Sequence, residues 1–325
     1  MELRTDPAAL REKYQKVMDK FVYEGGEPEE KARLRHLLRN QWTFVASMAP
    51  EPEDWNAWTE ERVREKDWPG LCRVMNQRGK IDMMPSIYGS YCYERNFHCM
   101  LECFACGNTQ VMDRLLPREL TKVQNSNEPF FPAAAHVMIG LWYRDPAVLE
   151  WAVPAAEKFM RRKSSTLLEK AMLSFLLDLA GGDTDKAGED LLGVCRGYPR
   201  DQKYMIGRRP ICTLAHGLYC LAQVLLPEEA FQALEMPVYR NFLPDFALWR
   251  LEHPDPDRSL WYRYPEDLAL LNGIYEAPPA RLVLSQPFLD SPRAKPRERQ
   301  YWMADGVRWV NEYVDELWEL GVGRN

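Results

Sequence analysis

The sequence predicts an all-α fold built from stacked antiparallel helix pairs, with at most a minor strand near residues 280–285. Three observations predict it. Apolar residues recur at three- and four-residue spacing, as in Leu168, Met172, Phe175, Leu176 and Leu179. Helix-sized segments are bounded by start and stop signals of opposite kinds. Strand-like alternation is nearly absent.

The elements follow in order. Asp6-Pro7 supplies an N-cap and a first-turn proline for a helix running to about Tyr23, before Gly25-Gly26. A second helix is expected from about Pro28 to Met48, stopped ahead of Pro50. Glu51-Pro52-Glu53-Asp54 connects to a further helical stretch. A helix from about Ile87 to Cys106 carries the cysteine-rich segment and stops at Gly107-Asn108. Helices are then expected over Ala133 to Trp142 and Pro146 to Arg162. Thr166-Leu167-Leu168-Glu169 fits a capping box, opening a helix that closes at Gly181-Gly182. Asp185 to Cys195, Pro210 to Leu226 and Pro227 to Leu234 follow. From Pro237 to Pro296 the chain turns rich in Pro, Tyr, Trp and Asp. The tail from about Arg297 to Leu320 reads as one amphipathic helix, with Val307, Val310, Val314, Leu317 and Leu320 as its stripe. No strict 34-residue period occurs, which argues against a tetratricopeptide array. A single helical domain over residues 1–325 is expected, divisible into packed lobes at about 1–125 and 126–325.

The 325 residues suffice for a large core. The net charge of −6 argues against a nucleic-acid partner. The first residues lack a signal-peptide pattern, and no apolar run reaches membrane-spanning length. Eight cysteines in such a chain point to reduced thiols in a cytoplasmic setting.

Cys99, Cys103 and Cys106 show the spacing C-x3-C-x2-C. That spacing resembles the cluster motif of radical S-adenosylmethionine enzymes, and Gly25-Gly26-Glu27-Pro28 resembles their GGE segment. The order is reversed here, and Ala105 stands where that family has an aromatic residue. The three cysteines also fall at i, i+4 and i+7, one face of a helix, with Cys92 extending the stripe. Buried reduced thiols explain the spacing without a cluster, and His98 points off that face, which disfavours zinc. We therefore expect no metal and no cofactor. His136 and His216, each inside an apolar helix, read as core histidines. No catalytic motif of the P-loop, HExxH or GxSxG type occurs, and a non-enzymatic role is expected.

A surface function remains. Glu252-His253-Pro254-Asp255-Pro256-Asp257 is a stiff acidic loop between Trp249 and Trp261-Tyr262. Aromatic anchors beside carboxylates suit a basic protein partner, so Trp249, Glu252, Asp255, Asp257, Trp261 and Tyr262 are the expected contact residues. The alternative is a Pro-rich turn whose aromatics pack inward. Tyr301, Trp302 and Tyr313 on the terminal helix offer a second aromatic surface.

The order of Thr213–Ala222, Val238-Tyr239-Arg240-Asn241-Phe242-Leu243-Pro244 and Trp261–Leu271 resembles the C-terminal half of the forty-ninth family of bacterial polymorphic-toxin immunity proteins. About 60 residues carry it, through short motifs, and Phe242 stands where that family has Tyr. The resemblance implies an all-helical cytosolic inhibitor that occludes a cognate toxin and has no catalytic residues of its own. The alternatives are a cysteine-dependent metal or iron–sulfur enzyme, and a helical scaffold for another protein.

Overall fold

Polar residues of one helix gripping the backbone of a distant extended segment organise much of this molecule. The computed structural model describes residues 5–39, 48–83, 93–122, 129–201, 210–300 and 302–324. The helices among them are α1 (Pro7–Met18), α2 (Glu29–Arg39), α3 (Pro52–Glu65), α4 (Trp68–Met83), α5 (Tyr93–Ala105), α6 (Val111–Leu115), α7 (Phe130–Trp142) and α8 (Pro146–Met160). They continue with α9 (Leu167–Gly181), α10 (Thr184–Gly197), α11 (Thr213–Leu225), α12 (Glu228–Ala233), α13 (Pro244–Glu252), α14 (Ala269–Glu276) and α15 (Gly306–Glu319). The all-α reading holds, and consecutive helices pack as the pairs α3/α4, α7/α8 and α9/α10.

Local chemistry sets the helix ends where the sequence signals them. Asp6 accepts from the Ala8 amide at 2.9 Å, and Pro7 occupies the first turn of α1. Thr166 and Glu169 close a reciprocal capping box, with bonds of 3.1 and 2.8 Å, and α9 ends at Gly182 in the left-handed region (φ 74°). Gly107 (φ 75°) ends α5 in the same way, while the Asn108 amide reaches back to the Cys103 carbonyl at 3.0 Å.

Several boundaries differ from expectation. Helix α1 stops at Met18, because tight backbone bonds at Lys20 and Phe21 turn the chain and Phe21 packs edge-on to His36 of α2. The second helix is described to Arg39; residues 40–47, like residues 84–92 at the start of the cysteine helix, lie outside the described residues. The tail is not one helix from Arg297. A 3-10 turn (Glu298–Gln300) and strand β2 (Met303–Ala304) precede α15, whose start is fixed by Asp305 accepting from the Arg308 amide at 3.0 Å. Strand β2 pairs antiparallel with β1 (Leu284–Ser285), the minor strand expected near 280–285. On α15, Val310, Val314 and Leu317 are buried with Trp309 and Tyr313, whereas Val307 and Leu320 face solvent.

Helix α5 lies at the centre, with α4 on one side and α11 on the other. Glycines permit both close approaches. A Cβ on Gly79 of α4 would lie 2.8 Å from the Cys103 Sγ and 2.9 Å from the Cys99 carbonyl oxygen. A Cβ on Gly217 of α11 would lie 2.2 Å from the Leu101 carbonyl oxygen. One apolar cluster runs from Leu10 to Leu317 and draws on both halves of the chain. A smaller one gathers Trp68, Cys72, Cys106 and Phe246 where α4, α5 and α13 meet.

The extended segment from His253 to Pro265, the strap, crosses α4. Four polar residues on one face of α4 hold the strap and the helix after it. Arg73 Nη2 donates to the Leu260 carbonyl at 2.6 Å and Asn76 Nδ2 to that of Arg258 at 3.3 Å. Gln77 pairs reciprocally with the Tyr262 backbone, donating and accepting at 2.8 Å. Lys80, buried, donates Nζ to the Tyr275 and Glu276 carbonyls at the end of α14. Burial pulls its pKa down to about 8, and the exposed carbonyl end of the helix dipole favours its charge. Replacing Gln77 by Leu strands the Tyr262 N–H and C=O together, so we expect a loss of about 2–3 kcal/mol in urea unfolding.

Candidate functional site

The expected contact residues divide between two environments. Trp249 and Glu252 lie on the last turns of α13, and Asp255, Asp257, Trp261 and Tyr262 on the strap. The aromatics turn inward. Tyr262 stacks on Trp58 of α3 at 5.9 Å, and Trp261 meets Trp58 edge-on at 6.5 Å. The Arg62 and Arg73 guanidinium groups lie over the Trp261 ring at 5.0 and 5.6 Å. Trp249 is half-buried, stacked between Phe246 and His253 at 6.4 and 4.5 Å. These rings fasten the strap to the helices beneath it. Tyr313, offered by the sequence as a surface aromatic, is also buried, and its hydroxyl donates to the Pro278 carbonyl at 3.1 Å. Tyr301 lies outside the described residues.

The carboxylates face outward. Asp255 contacts Arg258 at 2.5 Å, yet its side chain stays 84% exposed. Asp257 is a turn-former: it accepts from the Ser259 amide at 2.8 Å and hydroxyl at 2.9 Å. Those bonds hold its carboxyl below the usual carboxylate range, aided by Arg73 and Arg258. Glu252 is exposed at the end of α13.

Two residues that the sequence reading passed over complete this surface. Leu248 is 50% exposed, on the same face of α13 as Asp245 and Glu252, three residues after one and four before the other. That spacing was readable, but the neighbouring tryptophan drew the assignment. Arg250 looks like a surface cation and is buried. Its Nη1 donates to the His253 carbonyl, and it presses so close to Gly107 that a Cβ there would meet its Nη2 at 2.4 Å. It fixes the turn from α13 into the strap against the end of α5. The outcome is a rigid outer face: Leu248 flanked by Asp245 and Glu252, with Asp255 beyond. Asp245 also contacts Lys66 at 2.6 Å.

The described cysteines form no ligand set. Cys99, Cys103 and Cys106 are buried free thiols on one helix, as their phase implies; Cys92 lies outside the described residues. Cys103 abuts Gly79 of α4, while Cys106 belongs to the Trp68–Phe246 cluster and contacts the Glu102 carbonyl at 3.1 Å. His98 packs edge-on against Phe131 of α7 at 5.1 Å, in a different neighbourhood. Among the described residues, no three His, Cys, Asp or Glu side chains are placed to hold a metal ion. Burial raises the pKa of Cys103 and Cys106 well above the ordinary thiol value, and that of Cys72 to about 12. Thiolate is the reactive form, so a Cys92→Ser variant should release no thiol signal with a chromogenic disulfide at pH 8 until denatured. In denaturant it should then yield the remaining seven of eight thiols.

His216 is a packing residue. Its ring stacks on Phe242 at 4.1 Å, and its Nε2 accepts from the Leu243 amide at 3.1 Å. Burial lowers its pKa to about 3 and that of His136, which meets Trp151 edge-on at 4.9 Å, to about 4. Asp190, on α10 beside Asp178 and Ser174 of α9, is pushed up into the neutral range, to about 7, by burial and then by the neighbouring Asp178. Among the described residues, no helix is long and apolar enough to cross a membrane. No protein-family model, curated protein or solved structure matches the chain.

Proposed function

We propose that this chain acts by stoichiometric binding, as an immunity-type protein that neutralises a cognate bacterial toxin by covering its active site. The observation that carries the reading is the outer face of α13. There an exposed Leu248 shares a helix face with Asp245 and Glu252, and Asp255 follows on the strap, on a backbone pinned by Arg250; Asp245 and Asp255 also hold Lys66 and Arg258. An apolar centre with charged surroundings, held rigid before contact, is the arrangement that tight protein recognition uses. Its charge suits a basic partner such as the surface of an enzyme acting on phosphate-rich substrates. The resemblance of residues 213–271 to toxin-immunity proteins points to the same class. Leu248 is the apolar contact, since Trp261 and Tyr262 face inward on Trp58.

The test is co-expression with the products of the genes flanking this one, read by light scattering of the purified mixture. A 1:1 complex is expected. Leu248→Asp and the pair Glu252→Lys with Asp255→Lys should each weaken it by at least tenfold. Asp257→Lys is a poorer probe, because it breaks the turn at Ser259. Absence of any complex overturns the reading; a complex indifferent to these substitutions overturns the choice of face.

A further inference from the structure

The loop from Gln286 to Gln300 leaves the body between β1 and β2, whose pairing of Leu284 with Ala304 and Ser285 with Met303 closes its base. It is shaped by its own hydrogen bonds. The Leu289 amide donates to the Gln286 carbonyl at 3.1 Å, the Ser291 amide to that of Phe288 at 3.2 Å, and the Ala294 amide to that of Ser291 at 3.2 Å. Further along, Glu298 Oε2 accepts from the Lys295 amide at 2.8 Å. The first turn presents Phe288 and Leu289, 39% and 50% exposed. Arg293, Lys295, Arg297 and Arg299 follow, all exposed. None of the four forms an ion pair among the described residues, in contrast to Lys31, Lys66, Arg114 and Arg258. Against them the loop holds only Asp290 and Glu298, so four cations less two acids leave it at +2 within a chain of −6.

We propose that this loop is a docking element for the α13 face of a second copy of the same chain. The molecule carries two surfaces of matching construction and opposite sign. One has Leu248 on a helix face with Asp245 and Glu252, Asp255 following on the strap, where Lys66 and Arg258 partly offset Asp245 and Asp255; the other has Phe288 and Leu289 beside Arg293, Lys295, Arg297 and Arg299. They do not meet within one chain: none of the loop cations pairs with those acids. Between two copies, the exposed apolar residues cover one another while unpaired guanidinium groups meet carboxylates, which favours encounter and fixes register. The contact joins different surfaces, so it closes as a two-fold dimer using both pairs or extends head to tail. An anionic bilayer is a poorer occupant. The rest of the chain carries −6 less +2, that is −8, and repels such a surface within a Debye length of about 10 Å.

The proposal does not depend on the existence of a toxin, and its test uses the full chain alone. Sedimentation velocity at about 30 mM salt should show mass rising with protein concentration, and about 0.5 M salt should return the monomer. Glu252→Lys with Asp255→Lys, and separately Arg297→Glu with Arg299→Glu, should each weaken association at least tenfold. Mixing the two variants should restore it, because an acidic loop then meets a basic α13 face. All four positions are exposed, and circular dichroism confirms that the variants fold. A wild-type chain that stays monomeric throughout, or variants that associate unchanged, overturns the proposal. So does association abolished by either variant but not restored on mixing. Binding of a monomeric wild type to phosphatidylglycerol vesicles, lost on Phe288→Ser with Leu289→Ser, overturns it in favour of a membrane.

Discussion

Replacing Gly217 by alanine is expected to destabilise the protein more than almost any other single methyl group could. The added Cβ would lie 2.2 Å from the Leu101 carbonyl oxygen and 2.8 Å from its carbonyl carbon. Both belong to the backbone of α5, so no rotamer change relieves the clash. Helix α11 must move away from α5 by about an ångström, and a close-packed interior transmits that displacement. Leu218, Leu221, Phe97 and Phe104 are all fully buried, and the shift would loosen the packing around α5 and α11. Overpacking of side chains costs about 1–3 kcal/mol; a backbone clash at a central crossing should cost at least about 3 kcal/mol, a large share of an ordinary domain's stability. Gly188→Ala on α10 is the control. Its nearest neighbours would stand at 3.5 Å, ordinary contact, so better helix propensity should make it neutral or mildly stabilising. Urea unfolding of the two variants measures the contrast, and equal midpoints would refute the close crossing of α5 and α11.

Acid should begin to destabilise the protein above the range where carboxylates protonate. His216 has an ordinary pKa of 6.5 when unfolded and about 3 when folded, because burial disfavours its charge. Its Nε2 also accepts the Leu243 amide, and a protonated ring would set one donor against another. The unfolded chain therefore binds the extra proton first. Stability from His216 is complete above pH 6.5 and is lost progressively as pH falls towards 3, at about 1.4 kcal/mol per pH unit. His136, lowered to about 4, acts in the same direction over a shorter window. Asp190 opposes them. Its folded pKa of about 7 lies above the unfolded value, so the folded state holds that proton and gains as pH falls from 7 towards 4, by an amount that partial exposure reduces. Net loss of about one proton's worth of slope is expected between pH 6 and 4.5. His216→Gln, which keeps an acceptor without a titrating ring, should flatten the curve by about one proton. Denaturation at stepped pH reads both; an unchanged slope in the variant removes His216 from the account.

The helical frame was legible because each signal for it is local. Asp6-Pro7, Thr166 with Glu169, Gly107 and Gly182 all act within one turn of the residues they cap. The cysteine face was legible too, since helical phase places Cys99, Cys103 and Cys106 without reference to any partner. The strap was not. Arg73, Asn76, Gln77 and Lys80 look like a solvated face, and only the arrival of a segment some 185 residues later turns them into its anchors. The same fact misdirected the aromatic assignment. Trp261 and Tyr262 sit in a polar, Pro-rich context that suggests exposure, and the Trp58 surface receiving them is about 200 positions away. Leu248 went unnoticed because a lone leucine in an amphipathic turn is usually core. The broken terminal helix has a similar origin: β2 exists only because β1 is there to pair with it.

The pairing of Gln77 with Tyr262 has a further consequence, in time rather than in space. The two residues are separated by 185 positions, and Lys80 waits for carbonyls 195 and 196 positions ahead. Contacts of such separation raise the contact order, and with it the loop-closure entropy that must be overcome before they reward the chain. While the chain is being made, α4 leaves the ribosome with its amides and cations in water and the Trp58 ring uncovered. Only when some 185 further residues have emerged can the strap close over them. At a synthesis rate of about 5–20 residues per second, that interval lasts on the order of ten to forty seconds. During that interval the helices are expected to form ahead of their final packing, so the strap is the step at which the nascent chain becomes the native molecule.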